Sequence, residues 1–335
     1  MFLPPGKLPN EILEKLIGKY TFPNNRVVVG PSVGEDAAAI DIGDRYLLAK
    51  TDPITFVTED IGSYAICINA NDIATMGGKP RWFLATILLP EGSTTPELVE
   101  KIFSQLSSEC RKYGISLCGG HTEITIGLNR PIVTGLMIGE VSKDKMITTG
   151  GALEGDDIIL TKGIAIEAVS IIAREKKEEL MPLLGEKFLS DCNRLIETPG
   201  LSVLRDAEIA VKNGIIHSMH DPTEGGLATG LYEMAHASDK GIIIEYDSVP
   251  IISYCKTICE HYALDPLGLI ASGALIITLG SDDTENVISA LRSGGIAAVK
   301  IGEVLPKSEG MLLRQENEIK ELPRFERDEI TKLFL

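Results

Sequence analysis

The sequence predicts a two-domain α/β protein. Three observations predict it. Strand-like and helix-like segments alternate along nearly the whole chain; 335 residues at 44% hydrophobic content suffice for two cores; and a glycine-rich polar break falls near the middle. That break, TTGGALEGDD (148–157), divides an expected domain over residues 1–150 from one over 151–335.

Taken in order, NEILEKLIGKY (10–20) sets Ile12, Leu13, Leu16 and Ile17 at helical spacing behind Asn10 as N-cap. VVVG (27–30) and YLLAKTD (46–52) read as strands separated by a glycine-punctuated turn. DIGSYAICINANDIATM (60–76) has helical spacing and stops at Gly77-Gly78. WFLATILLP (82–90) reads as a buried strand, and TPELVEKIFSQLSSECRKYG (95–114) as an amphipathic helix ended by Gly114. ISLCGG (115–120) and RPIVTGLMIGEV (130–141) complete a β-β-α-β-α-β-β series.

Beyond the break, DIILTKG (157–163) is a strand. AIEAVSIIAREKKEELMPLLG (165–185), FLSDCNRLIE (188–197) and LSVLRDAEIAVKNG (201–214) are three helices. IIHSMHDPTEGG (215–226) is a strand running into a glycine turn, and LATGLYEMAHASD (227–239) is a helix. IIIEYDSVP (242–250), ISYCKTICEHY (252–262), ALIITLG (274–280), TENVISALRSGG (284–295) and AAVKIGEVL (297–305) then alternate strand and helix.

A net charge of -16 and a pI near 4.8 exclude sequence-independent nucleic-acid binding, which needs clustered cations. Cys67, Cys110, Cys118, Cys192, Cys255 and Cys259 contain no CxxC pair, which favours reduced, packed thiols over a disulfide framework or a zinc site. MFLPPGKLPNEIL has no apolar core long enough for a signal peptide, and no apolar run reaches membrane-helix length. These features lead us to expect a cytoplasmic protein with no membrane or nucleic-acid partner.

Five stretches combine acids with small residues at the edge of apolar elements. GEDAAAI (34–40) offers Gly34, Glu35 and Asp36; such acids are usually just solvated, but here they abut an apolar run. In AKTDPIT (49–55), Lys50 and Asp52 share a strand face, either as an ion pair or as a phosphate contact beside a metal ligand. INANDIATMGGKP (68–80) puts Asn69, Asn71 and Asp72 inside an apolar helix, where each must be hydrogen-bonded or hold a ligand, and adds Lys79. GGHTEI (119–124) delivers Gly119, Gly120, His121 and Glu123 to one place. DPTEGGLATG (221–230) is its counterpart, with Asp221, Thr223 and Glu224 before Gly225-Gly226 and a helix. A glycine turn opening a helix is an anion site, and acids beside it call for a bridging Mg2+. No GxxxxGK[ST] loop and no GxGxxG is present.

In this order the five motifs resemble the AIR synthase-related superfamily, and within it the HypE branch most. The resemblance covers about residues 30–305. It implies an N-terminal ATP-binding domain whose strands close a β-barrel across a homodimer, and a C-terminal α/β sandwich. It further implies ATP and Mg2+ as cofactors, a small-molecule substrate and a maturation partner protein. The expected activity is phosphorylation of a small amide, acyl or phosphate-bearing substrate. A non-catalytic nucleotide-binding assembly subunit and a thiamine-monophosphate kinase-like phosphotransferase are the alternatives.

Carried over by motif, Asp36, Asp52, Asp72 and Asp221 become metal ligands, with Asp52, Asp72 and Asp221 at the chemistry. Gly34, Glu35, Lys50, Asn71, Gly119, Gly120, His121, Thr223, Glu224, Gly225 and Gly226 become nucleotide contacts. Gly119-Gly120 would form a turn at the lip of the ATP site, with His121 touching phosphate or substrate. Two departures stand out: HypE chains end in a carrier cysteine whereas this sequence ends RFERDEITKLFL, and Glu224 stands where HypE has arginine.

Overall fold

A computed structural model describes residues 3, 7–22, 24–55, 57–316 and 318–334. Residues 1, 2 and 4–6 of the N-terminal stretch MFLPPGKLPNEIL lie outside the described residues. The chain forms two compact units. The smaller comprises Pro23–Gly30 and Asp36–Met146, the larger Met1–Phe22, Pro31–Glu35 and Ile147–Leu335. The first helix, α1 (Asn10–Tyr20), therefore groups with the larger unit, although sequence order suggested the first domain.

The smaller unit is a six-stranded sheet built from β1 (Val27–Val29), β2 (Ala38–Asp41), β3 (Arg45–Ile54), β4 (Lys79–Pro90), β5 (Ser116–Thr125) and β6 (Ile132–Ser142). Its spatial order is β1-β2-β3-β6-β4-β5, with β4 and β5 parallel and the other pairs antiparallel. Helix α2 (Ile61–Thr75) is buried at every residue except Ser63 and packs on β3, β6 and α3 (Pro96–Tyr113). Close packing is possible because two β6 residues lack side chains. A Cβ at Gly139 would lie 2.3 Å from Ile73 Cγ2, and one at Gly135 2.6 Å from Asn69 Nδ2. Helix α3 begins with Thr95 accepting a hydrogen bond from the Leu98 N–H and ends at left-handed Gly114, as the sequence indicated.

The sequence reading differs from the structure in two places here. Strand β2 lies within GEDAAAI and its flank, where a turn was expected. Strand β5 runs unbroken through GGHTEI, because both glycines take an extended conformation open to glycine alone (φ +148° and +145°).

The larger unit holds a seven-stranded sheet. Its elements are β7 (Asp157–Thr161), α4 (Ile166–Glu175), α5 (Lys177–Arg194), α6 (Leu204–Asn213), β8 (Ile216–His220), α7 (Gly226–Ala237), β9 (Gly241–Glu245), α8 (Ser253–Tyr262), β10 (Ile276–Leu279), α9 (Ser281–Ser293), β11 (Ala298–Leu305), β12 (Met311–Gln315) and β13 (Glu318–Glu321). The strand order is β13-β12-β9-β11-β7-β10-β8. Its core joins Ile158, Leu160, Ile242, Ile244, Ile276 and Ile301 of the sheet to Leu227, Leu231 and Met234 of α7. The break expected at Gly185 falls instead at Lys176, and Gly185 (φ +81°) only kinks α5. Strands β12 and β13 were not anticipated, since four- and five-residue segments carry too little alternation to read. The result is a two-unit α/β architecture with a mixed sheet in each unit.

Candidate active site

The smaller unit gathers four of the predicted residues. Asp36 precedes β2, Lys50 and Asp52 share a face of β3, and Asp72 projects from the last turn of α2. Asp36 and Asp72 are both buried, with carboxylate oxygens within 4.8 Å of one another. Lys50 Nζ lies 3.1 Å from Asp72 Oδ1 and 3.4 Å from Asp52 Oδ2. The Lys50–Asp52 pair is thus more than a surface contact, since the same ammonium reaches a buried acid. Two buried carboxylates this close repel unless a cation stands near, and one lysine cannot neutralise three acids. An oxygen-only donor set of this kind fits Mg2+ and does not fit a soft metal.

Asn69 resolves the question of polar groups in an apolar helix. Its Oδ1 accepts the Asp52 N–H at 2.9 Å, while its Nδ2 donates to the carbonyls of Ala65 (2.9 Å) and Asp52 (3.3 Å). Asn69 is therefore a backbone clamp that fixes Asp52. Asn71 is buried beside it on α2.

GGHTEI is not part of this group. Register aligns Asp52 with Gly135, Gly135 with Ala85 and Ala85 with Gly120, so Gly120 lies three strands away on the sheet edge. At about 4.8 Å per strand that is about 14 Å. His121 and Glu123 project from the same face of the edge strand and pair with each other at 3.0 Å in the open. The expected turn at the lip of a site is replaced by an exposed strand. Gly120 serves packing, because a Cβ there would meet the Ala85 carbonyl oxygen at 1.8 Å.

In the larger unit, β8 delivers buried Asp221 into a turn whose glycines are left-handed, Gly225 at φ +80° and Gly226 at φ +69°. Gly226 is irreplaceable by geometry, since a Cβ would lie 2.4 Å from the Leu267 carbonyl oxygen. The amides expected to cradle an anion are already engaged. Gly226 N–H donates to Thr223 O (3.0 Å), and Gly225 N–H donates to Asp328 Oδ2 (2.7 Å). Thr223 and Glu224 are half-buried beside them. Gly34 (φ +90°) packs where a Cβ would touch the Glu233 carbonyl oxygen at 2.9 Å, and Glu35 follows it.

Sequence reasoning missed five residues around this turn. His220 Nε2 meets Glu233 Oε2 at 3.1 Å, and Lys7 Nζ meets Glu233 Oε1 at 3.2 Å. Burial alone would raise the Glu233 carboxyl, but Lys7 and His220 outweigh it and hold it at about 2. The opposite holds nearby. Burial pushes Glu167 of α4 up to about 7, with Asp328 and Glu224 adding to the rise. Burial likewise lifts Asp328 to about 6, despite backbone N–H groups of Ile330, Gly225 and Ile270 that pull it down. Asp328 had a faint signature as the cap of a short terminal turn; Lys7 and Glu233 had none.

The chain is similar to known proteins along most of its length. Residues 34–141 match the AIR synthase related protein N-terminal domain and residues 154–313 its C-terminal domain. A putative hydrogenase expression/formation protein of Methanocaldococcus jannaschii is 30% identical over 319 residues, covering 92% of this chain and 91% of that one. The chain belongs to the AIR synthase-related family. Among family members, carbamoyl dehydratase HypE of Cupriavidus necator is 28% identical over 282 residues, 81% of this chain and 77% of that protein. A crystal structure of hydrogenase maturation protein HypE in complex with ATP shares the fold with a TM-score of 0.73 at 23% identity, covering 94% of this chain and 91% of the other. Family membership and HypE likeness thus match the motif order read from the sequence.

Proposed function

We propose that the chain is an ATP- and Mg2+-dependent enzyme that phosphorylates an oxygen of a small amide, acyl or phosphate-bearing substrate. The observation that carries this reading is the Asp36–Asp72 carboxylate pair with Lys50 bridging Asp72 and Asp52. It is supported by similarity to carbamoyl dehydratase HypE and by the shared fold of the ATP-bound HypE structure.

Asp36, Asp52 and Asp72 of the smaller unit would hold Mg2+. Bound there, the ion would neutralise the phosphate charge that phosphoryl transfer must spread and move. Lys50 keeps the acid cluster compact and offers a further positive charge to the γ-phosphate. Asn69 fixes the backbone of Asp52, so that its carboxylate is presented in one orientation. Phosphorylating an amide oxygen makes a good leaving group of it, which suits dehydration or displacement. A homodimer and a maturation partner protein belong to the same proposal; the exposed edge strand β5, with Ile124 60% and Ile126 just beyond it 78% exposed, supports the former.

Radiolabelled γ-phosphate transfer and ADP release, measured with a panel of carboxamides and phosphomonoesters, test the reading. Acceptor-dependent ADP release is expected, reduced on the order of 100-fold in Asp52→Asn and Asp72→Asn. ATP binding with no transfer of the γ-phosphate to water or any acceptor would overturn it.

A further inference from the structure

The segment from Leu322 to Thr331 does more than end the larger unit. The Leu322 carbonyl accepts the Tyr232 hydroxyl of α7 at 2.6 Å. Phe325 lies over Gly268 so closely that a Cβ there would sit 2.5 Å from its ring. Two adjacent buried acids then bond the turns around Gly225 and Asp265, with the Ile270 N–H also directed at Asp328. Asp328 Oδ2 accepts the Gly225 N–H at 2.7 Å, while its Oδ1 accepts the Ile330 N–H at 3.0 Å. Glu329 Oε2 accepts the Asp265 N–H at 2.9 Å. The two gripped turns also touch each other, since Ala271 N–H and Gly226 N–H both donate to Thr223 O.

We propose that Asp328 is the positioning residue of the DPTEGG turn, a built-in anion at the N-terminus of α7 through which the 322–331 strap presents Asp221 and Thr223 to the nucleotide phosphates. This rests on the ATP reading above. A carboxylate is the preferred partner for the open amides of a helix start, so the Gly225 N–H has no need of a ligand phosphate. Two consecutive left-handed glycines leave the turn with little stiffness of its own. Its shape is therefore imposed from outside, and Asp328 is a side chain bonded to its backbone from outside the motif. Glu329 shares the strap and its burial but grips the other turn, which makes it the natural control.

The test compares Asp328→Ala with Glu329→Gln in the full-length protein. Melting temperature, Mg-ATP affinity by calorimetry and amide hydrogen exchange over Gly225–Leu227 are measured for each. Asp328→Ala is expected to lose protection at Gly225–Leu227 by tenfold or more and to weaken Mg-ATP binding by about tenfold. Glu329→Gln, at a similar fall in melting temperature, should keep affinity within about twofold. If Asp328→Ala does not fold, Asp328→Asn, which retains one acceptor oxygen, takes its place and should show a smaller loss of the same kind. Unchanged exchange at Gly225–Leu227, or equal affinity losses in both variants, overturns the proposal. Should the wild-type protein fail to bind ATP, the functional reading falls while the exchange data still decide whether Asp328 sets the turn.

Discussion

GGHTEI and DPTEGG contain nearly the same ingredients, paired glycines with a threonine and a carboxylate, yet they do opposite things. In the first, Gly119 and Gly120 are extended, the strand is exposed along its length, and His121 pairs with Glu123. In the second, Gly225 and Gly226 are left-handed, the turn is buried, and Asp221, His220, Glu233 and Asp328 crowd around it. The difference teaches that a glycine pair supplies only permission. Whether it becomes a strand or a turn is decided by what packs against it, β4 on one side in the first case and the 265–271 and 322–331 segments in the second.

The comparison breaks most severely at Gly226. Gly226→Ala adds a Cβ at 2.4 Å from a backbone oxygen in a left-handed residue, and we expect a loss of about 4 kcal/mol or failure to fold. Gly119→Ala meets nothing within 4 Å and should cost only the conformational strain, about 1–3 kcal/mol, by urea denaturation.

Next in size is Glu233→Gln, which leaves Lys7 and His220 without their shared carboxylate and should cost about 3 kcal/mol at pH 7. Because the folded carboxyl lies below its unfolded value, its stabilisation is present above about pH 4.5 and is lost as pH falls toward 2. The variant should lack that acid limb in a stability-versus-pH series.

Glu167→Gln tests the reverse sign. A carboxyl raised to about 7 contributes stability at low pH that disappears as pH rises through 7. The wild type should therefore lose stability between about pH 4.5 and 7 relative to the variant, by on the order of 3 kcal/mol. Equal slopes in the two proteins would remove Glu167 from the buried acid group beside Asp328. The smallest effect belongs to His121→Ala. Within the single chain β5 is exposed, so monomer stability should change by no more than about 0.5 kcal/mol, and a larger change in the protein at high concentration would support the proposed homodimer at β5.

The sequence by itself determined the α/β class, most of the element order (β2, β12 and β13 excepted), the caps of α3 and the acid positions. Each of these is written locally, in spacing of apolar residues, in a Thr95 or Gly114 at a helix end, or in an aspartate at a strand terminus. It also carried the family, because five short motifs in fixed order are a one-dimensional property. Only the tertiary structure decided that Lys50 joins Asp52 to Asp72, that Asn69 clamps the Asp52 backbone, and that His121 lies on the β5 edge three strands from β3. It alone placed Lys7 against Glu233, 226 residues on, and Asp328 against Gly225, 103 residues back. Such pairings depend on which surfaces meet once the sheets form, and no local pattern encodes a partner that far along the chain.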